Sequence, residues 1–255
     1  MMLNEETKRK LRLMNLYEFV DAIDVQNQVP EYVNMPFDLR FQYIVDSVYQ
    51  EKYNSKVQKL IKSAKFRLPK ADIHDVFYDP RRNIDRSLIA ELGTCKYILE
   101  NKSIILRGYT SSGKTFLGCA LGKEACRQQY RTRYIRLPDL LMEFDELSLE
   151  PGGKEKILKK YSAFRLLILD EWLISDMSKA EIEFIFELSE RRFDTTSTIF
   201  CTLYKNDDWI KRLGKGVYAE SIVERYAHNS IAIETGDMNM RAIFSRKSAP
   251  TGAIS

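Results

Sequence analysis

The clearest signal in the chain is Gly108-Tyr109-Thr110-Ser111-Ser112-Gly113-Lys114-Thr115, which fills every fixed position of the phosphate-binding loop pattern. The glycines allow backbone N–H groups to turn toward phosphate oxygens, and Lys114 adds a mobile positive charge. The hydroxyl of Thr115 is placed to bind Mg²⁺. We therefore predict that this loop, with Phe116 directly after it, binds a nucleoside triphosphate.

The segments on either side of the loop fit the same interpretation. Ile104-Ile105-Leu106 before it has the character of a short apolar strand, and residues 116–126 after it have the pattern of an amphipathic helix. A phosphate-binding loop requires this order of strand, loop and helix.

A second candidate part of the site follows the apolar run Leu166–Leu169, which leads directly into Asp170 and Glu171. This pattern predicts a buried parallel strand with carboxylates at its C-terminal end. Asp170 is then placed to reach Mg²⁺ opposite Thr115, while Glu171 can polarise a water that attacks the γ-phosphate. The alternative is a strand that merely ends in a solvated turn. Beside the phosphate-binding loop, we favour an ATPase core with Lys114 and Glu171 as catalytic residues.

The composition is that of an ordinary globular protein. The chain has 255 residues, of which 44% are hydrophobic and 30% charged, enough for one α/β domain with a helical appendage. No apolar run approaches the length of a membrane span, and the first ten residues lack the apolar core of a secretory signal. We expect a cytoplasmic protein without membrane contact. The four cysteines include no C-x-x-C pair, and we expect them to be small core residues.

The chain divides by pattern into a helical N-terminal part and a nucleotide-binding part. Apolar residues between positions 11 and 20 predict a first helix, and a second is expected from about Asp38 to Ala64, after a break that contains Pro30 and Pro36. These helices should form a hairpin. An irregular connector follows, so we predict a helical domain over residues 1–74 and an ATPase domain over residues 75–255.

Strand and helix patterns alternate in the second part. Further strands are expected near 133–137 and 198–203, with helices near 85–100, 140–149 and 181–193 and a loop at 150–153. This alternation predicts an α/β fold with a parallel sheet.

Basic residues concentrate near the end of the second predicted helix, although the net charge is only +4. At the 100° rotation per residue of an α-helix, five lysines fall on one side of that helix and form what we call the basic stripe. Apolar residues gather on the other side: Tyr53, Val57, Leu60, Ile61 and Ala64. The stripe consists of Lys52, Lys56, Lys59, Lys62 and Lys65. One interpretation is an ordinary solvated lysine face; the other is contact with the phosphate backbone of DNA, independent of base sequence.

The chain resembles the AAA+ ATPases, because four features occur in their order. These are the phosphate-binding loop, the strand that ends in Asp170 and Glu171, the strand that ends at Thr202, and the string Glu224-Arg225-Tyr226-Ala227-His228. More narrowly, it is similar to the IstB-like helper proteins of insertion sequences, which are related to DnaC-type helicase loaders. The narrower resemblance rests on strings along most of the chain, at residues 11–16, 59–69, 113–127 and 134–140.

The resemblance implies an AAA+ P-loop core preceded by a small all-helical domain. It also implies that Arg225 reaches the γ-phosphate bound by a neighbouring subunit, where a guanidinium would neutralise charge that develops during transfer. The alternative is a surface ion pair between Arg225 and Glu224. By the same resemblance Arg241 is a second sensor of nucleotide, although the motif from Gly236 to Arg241 is one residue longer than usual.

One position departs from the family pattern. Where the family carries an amide that orients the attacking water, this chain has Leu203, preceded by Thr202. The expectation is either slow hydrolysis or a catalytic hydroxyl from Thr202 in place of the amide.

Altogether the resemblance implies an ATP- and Mg²⁺-dependent helper of DNA transposition that forms a homo-oligomer on double-stranded DNA and recruits or activates a cognate transposase. A helicase loader acting on single-stranded DNA is the nearest alternative. A small-molecule kinase is disfavoured because the sequence has no clear arginine-rich lid segment. GTP as the nucleotide is disfavoured because the sequence has no N-K-x-D string, which reads guanine. A nucleotide-bound clamp that does not hydrolyse ATP also stays open.

Overall fold

The computed structural model describes residues 3–32 and 34–247. The chain forms two compact units, residues 1–59 and residues 60–255. The division predicted near residue 75 lies inside the second unit. The reason is visible in the connector, because Phe66, Ala71 and Val76 are buried in the apolar core of the nucleotide-binding unit. The functional roles assigned to the two parts stay predictions.

The first unit is helical, as expected. It contains α1 (Glu5–Leu13), α2 (Tyr17–Gln28) and most of α3 (Phe37–Ala64), with a short 3₁₀ turn at Pro30–Tyr32. The first predicted helix is in fact two, because Asn15 adopts a left-handed conformation with φ of 57°. The bounds of α3 agree with the prediction to within one residue.

Polar contacts join α2 to α3. The side chain of Gln26 donates to the carbonyl of Arg40 at 2.9 Å, and Glu18 lies 3.7 Å from the ammonium of Lys52. Later residues of α2 therefore meet earlier residues of α3, as in an antiparallel pair. This arrangement is the helical hairpin that the sequence predicts.

The second unit alternates helices and strands. After two 3₁₀ turns at Ile73–Asp75 and Pro80–Arg82, its elements follow in this order: α4 (Arg86–Gly93), α5 (Lys96–Leu99), β1 (Ser103–Arg107), α6 (Lys114–Arg127), β2 (Thr132–Arg136), α7 (Leu137–Ser148), α8 (Gly153–Ser162), β3 (Leu166–Trp172), α9 (Lys179–Arg192), β4 (Ser197–Thr202), α10 (Asn206–Arg212), α11 (Val217–His228), β5 (Ser230–Glu234) and α12 (Met240–Lys247).

The five strands form one parallel sheet in the order β2-β3-β4-β1-β5. Side chains alternate between its faces, so Ile104 and Leu106 belong to one apolar cluster while Ile105 belongs to the other. Both faces are covered, which explains why the strands are continuous apolar runs. The predicted α/β fold with a parallel sheet is confirmed.

The strand order determines where the site can form. β4 lies between β1, which leads into the phosphate-binding loop, and β3, which carries Asp170 and Glu171. The carboxyl ends of parallel strands meet at one edge of the sheet, where open α/β sheets bind ligands. The loop and the acidic pair therefore face the same cleft.

The four cysteines are buried core residues, as predicted. Burial raises the pKa of Cys95 to about 12 and those of Cys119 and Cys126 to about 11. Within residues 3–32 and 34–247, no helix combines the length and apolar character that a bilayer span requires.

Candidate nucleotide-binding site

The phosphate-binding loop connects β1 to α6 and depends on two glycines. A Cβ at Gly108 would lie 2.3 Å from the hydroxyl of Thr235 and 2.8 Å from that of Ser112, so only glycine fits. Gly113 has φ of 95°, a conformation that side chains disfavour, and it precedes the first turn of α6. The loop therefore ends at a helix N-terminus, where the backbone favours anions.

Lys114 is the first residue of α6. Its ammonium donates hydrogen bonds of 2.7 Å to the carbonyl oxygens of Gly108 and Tyr109. Burial lowers the pKa of Lys114, against the opposing effects of Cys201 and Asp170. The positive charge thus lies across the loop, and its contact with phosphates stays a prediction.

Thr115 and Asp170 come together although they lie on different elements. The hydroxyl of Thr115 donates to Oδ2 of Asp170 at 2.7 Å, and the buried hydroxyl of Tyr134 donates to the same oxygen at 2.7 Å. Burial, followed by the charge of Asp170, raises the pKa of Tyr134 well above its usual range. Tyr134 was not predicted from the sequence.

Asp170 is a suitable partner for a divalent cation. Only 3% of the residue is exposed, and among the described residues its hydrogen bonds come from hydroxyl and backbone N–H groups, not from arginine or lysine. A buried carboxylate favours a positive partner. With the hydroxyl of Thr115 it offers the hard oxygen atoms that Mg²⁺ takes, in company with phosphate oxygens. These two residues therefore fit the predicted metal role.

Glu171 has different partners from its neighbour. Its φ of 56° turns the chain, and the pairing of β3 with β4 is irregular at this point. Its carboxylate accepts a hydrogen bond from Arg67 at 2.9 Å and lies 3.5 Å from Arg136. The bond to Glu171 is the main reason that the pKa of Arg67 is raised.

Two cavities, each of about 290 Å³, flank Lys114 and Thr115. The first has apolar walls formed by Leu68, Phe77, Phe116 and Met240, with Asp75 and Arg82 among them. The second, the polar cavity, has a larger share of polar surface than the first and includes Asp170, Glu171 and Thr202. An apolar cavity beside a polar one suits a molecule with a flat base at one end and phosphates at the other.

The remaining loop residues differ in their position. Thr110 and Ser111 line the polar cavity, and Tyr109 is 71% exposed. Ser112 is fully buried, and its hydroxyl lies 2.6 Å from that of Thr235 after β5. Ser112 can therefore contact a nucleotide only through its backbone atoms.

Thr202 lines the polar cavity, as does Leu203. The hydroxyl of Thr202 donates to the carbonyl of Trp172 at 3.2 Å and accepts from the N–H of Tyr204 at 3.1 Å. Because its proton already has an acceptor in this arrangement, the catalytic role of Thr202 stays a prediction without support from its hydrogen bonds.

Comparison with known proteins identifies the family of this chain. A family model described as "IstB-like ATP binding protein" matches residues 7–248. The chain belongs to this family. An insertion sequence ATP-binding protein of Sinorhizobium fredii is 26% identical over 242 residues, which cover 95% of this chain and 97% of the relative. The IS1162 ATP-binding protein of Pseudomonas fluorescens is 28% identical over 198 residues, covering 78% and 85%.

Solved structures show the same fold at low sequence identity. The DnaC helicase loader is 21% identical with a TM-score of 0.53, covering 64% of this chain and 95% of that chain. AMPPCP-bound DnaA from Aquifex aeolicus is 20% identical with a TM-score of 0.56, covering 70% and 54%. This IstB-like protein therefore has the AAA+ P-loop fold that its sequence predicts.

The two arginines expected from the family lie in different places. Arg241 lines both cavities at the start of α12. Arg225 on α11 instead forms an ion pair with Glu190 and lies over the rings of Phe186 and Phe193, at 5.5 and 5.9 Å from their centroids. Its ion-pair partner is Glu190 on α9, not the adjacent glutamate considered from the sequence. The structure of one chain does not bring Arg225 to the cleft.

The basic stripe has the exposure that its pattern predicts. All five lysines are exposed: Lys52, Lys56, Lys59 and Lys62 on α3, and Lys65 just beyond its end. On the other side Val57 and Ala64 are buried. The exposure fits both a solvated face and a DNA contact, so the DNA role stays a prediction.

Proposed function

We propose that this IstB-like protein is a Mg²⁺-dependent ATPase that assists DNA transposition. The observation that carries the ATPase proposal is the 2.7 Å contact of Thr115 with Asp170 beside the ammonium of Lys114. It joins the end of β3 to the start of α6 across the intervening β4. A strand that merely ended in a solvated turn would not require this contact.

Each residue has a distinct task in the proposed reaction. The loop N–H groups and Lys114 bind the phosphates, while Thr115 and Asp170 hold Mg²⁺. The metal ion would neutralise charge on the phosphate oxygens. Glu171 orients and polarises the attacking water after it leaves its arginine partners. Arg241 contacts the nucleotide from α12, and Arg225 completes the site of an adjacent copy in a homo-oligomer.

The transposition part rests on the relatives, which are insertion sequence ATP-binding proteins. By analogy we place this protein in the cytoplasm, assembled with ATP on double-stranded DNA through its basic stripe and acting with a transposase. A helicase loader is the second candidate, because it uses the same fold. The fold alone does not distinguish them.

The proposal is tested by steady-state ATP turnover with Mg²⁺ at two salt concentrations, without DNA, with single-stranded DNA and with duplex. We expect stimulation by duplex that fades with salt, since phosphate contacts release counterions. Glu171→Gln should retain ATP binding and slow turnover by about a hundredfold. Replacing Lys52, Lys56 and Lys59 with alanine should flatten the salt dependence. Stimulation only by single strands would favour the loader.

A variant of the loop tests nucleotide binding separately from turnover. Lys114→Ala should lose ATP binding in a direct titration, because it removes the charge at the phosphates. Tight binding by this variant would refute the assignment of the loop. If neither single-stranded nor duplex DNA changes the rate of ATP turnover, the ATPase assignment stands but DNA is rejected as the partner.

A further inference from the structure

Arg82 is a buried arginine that the sequence patterns did not assign to the site. It ends the 3₁₀ turn Pro80–Arg82 and is only 3% exposed. Arginine is almost never fully buried unless it has a partner of opposite charge. Its surroundings therefore require an explanation.

Among the residues that the structure describes, none supplies Arg82 with an ion pair. The nearby carboxylate of Asp79 is bound instead by Arg81, through two bonds of 2.8 Å from Nε and one terminal nitrogen. Nε of Arg82 is buried and donates a hydrogen bond to none of the described residues. Burial lowers the pKa of this guanidinium, and electrostatic interactions with Asp79 and Tyr78 only partly oppose that effect. A buried charge without a counter-charge is unfavourable in the protein alone.

Arg82 is in direct contact with the phosphate-binding loop. One terminal nitrogen donates to the carbonyl of Ser112 in a buried bond of 2.8 Å, and the other donates to the carbonyl of Phe77. The first nitrogen would lie 3.0 Å from a Cβ at Gly113. Arg82 also lines the first cavity together with Gly113 and Lys114.

The bond to Ser112 has a geometric consequence for Gly113. No cis peptide bond occurs in the described part of the chain, so the carbonyl of Ser112 and the N–H of Gly113 point in opposite directions from one planar unit. By holding the carbonyl, Arg82 directs that N–H away from itself. A phosphate-binding loop requires its N–H groups to point outward, toward the anion.

We propose that Arg82 is a positioning residue of the nucleotide site, which holds the Ser112–Gly113 peptide with its N–H toward the bound phosphates, whose negative charge then offsets the buried guanidinium across that peptide. This inference rests on the proposed ATP-binding function. It predicts that Arg82 affects the affinity for phosphates more than the affinity for the base.

The experiment compares three variants by titration with ribose-labelled fluorescent ADP and ATP. Arg82→Met removes the charge and the donors at similar length, and Arg82→Lys keeps the charge. Arg81→Met is the matched control, because Arg81 is exposed and binds Asp79 on its own turn. We expect Arg82→Met to weaken ATP binding about tenfold or more, corresponding to the loss of one aligned hydrogen bond from the Gly113 N–H to a charged phosphate. The ATP affinity of Arg82→Lys should lie between those of the wild type and Arg82→Met, and the affinity of Arg81→Met should match that of the wild type.

Two further readouts separate positioning from a purely structural role. Competition with AMP, ADP and ATP should show a loss that grows with the number of phosphates, and the ATP-induced rise in Tm should be smaller in Arg82→Met than in the wild type. Equal losses for all three nucleotides, or wild-type affinity, would overturn the proposal. If Arg82→Met does not fold, the same series on Arg82→Lys decides the question. Failure of the wild-type protein to bind ATP would instead refute the proposed function itself.

Discussion

At the residue scale, two adjacent carboxylates differ in the charge of the side chains that contact them. Asp170 accepts hydrogen bonds from the hydroxyls of Thr115 and Tyr134, whereas Glu171 is held by the guanidinium groups of Arg67 and Arg136. A carboxylate whose hydrogen bonds come from neutral groups suits a metal ion. One held by arginines has fewer lone pairs available for water.

The arginine contacts predict that Glu171 is restrained before DNA binds. Arg67→Gln should raise turnover without DNA by about threefold to tenfold, since the released carboxylate can act as a base toward water. The measurement is kcat at saturating ATP, which separates this effect from any change in affinity.

The same rise must depend on Glu171. In the double variant Arg67→Gln with Glu171→Gln, turnover should return to the low level of Glu171→Gln alone. Turnover of Arg67→Gln equal to or below that of the wild type would reject the restraint.

Only part of the site could be predicted from single residues. The loop and Asp170 belong to local patterns whose chemistry is fixed by spacing. Tyr134, Arg67 and Arg82 reach the site through tertiary packing, which no short motif reports. Arg136 had a usable signal, because it is paired in register with Asp170 once β2 is known to neighbour β3.

At the scale of elements, α6 packs very closely against the sheet and the connector. A Cβ at Gly122 would lie 2.6 Å from both the Cδ1 of Ile168 on β3 and the ring of Phe66. Both neighbours are buried and have little room to move. The glycine therefore sets how near the helix lies to β3.

Gly122→Ala should lower the free energy of unfolding by about 1–2 kcal/mol, although alanine favours a helix over glycine by about 1 kcal/mol, because overpacking outweighs that gain. Gly118→Ala is the graded control, with its nearest atom 3.2 Å away at Cys201 Sγ, and should lose less. Urea unfolding measures both. A more stable Gly122→Ala would show that the helix can shift without loss.

Asp72 ties the turn before α4 to α6. Burial would raise its pKa, but hydrogen bonds from Arg127, the N–H of His74 and Lys123 together lower the pKa well below its usual range. The resulting stability is present above the unfolded pKa, about 4, and is lost as the pH falls through the folded value. Asp72→Asn should thus destabilise by about 1–2 kcal/mol at pH 7.

The pH dependence is the decisive measurement for Asp72. The difference in unfolding free energy between wild type and Asp72→Asn should shrink between pH 5 and pH 3, while the exposed Asp145→Asn shows little difference at either pH. A constant difference at all pH values would mean that the side chain acts through packing rather than through charge.

Element prediction succeeded where the apolar pattern was clear and failed where loop residues or an irregular pattern obscured it. The 28-residue α3 was predicted to within one residue. The helix α8 was not predicted, although Ile157, Leu158 and Tyr161 are buried at helical spacing, because the preceding Pro151 and Gly152 are typical of a loop. β5 has only five residues and a mixed pattern of burial, which gives no clear period.

At the scale of the whole molecule, the cleft of one chain contains the phosphate-binding, metal-binding and water-activating candidates but not Arg225. That side chain is 23% exposed and paired with Glu190. A role in an adjacent copy therefore requires exchange of this ion pair for the γ-phosphate. Such an exchange would make ATP hydrolysis depend on assembly.

Mixing two inactive variants tests this dependence directly. Glu171→Gln damages the site in its own chain, whereas Arg225→Ala should leave ATP binding intact and lower turnover of the assembled protein by about a thousandfold. In a mixture, an Arg225→Ala chain supplies Glu171 and its Glu171→Gln neighbour supplies Arg225. With random assembly roughly a quarter of the interfaces then have both groups, so turnover should recover to that order. Glu190→Gln is the matched control and should keep turnover, because it removes only the resting partner. If Arg225→Ala alone hydrolyses ATP normally, Arg225 serves only its ion pair with Glu190, and each chain carries a complete site.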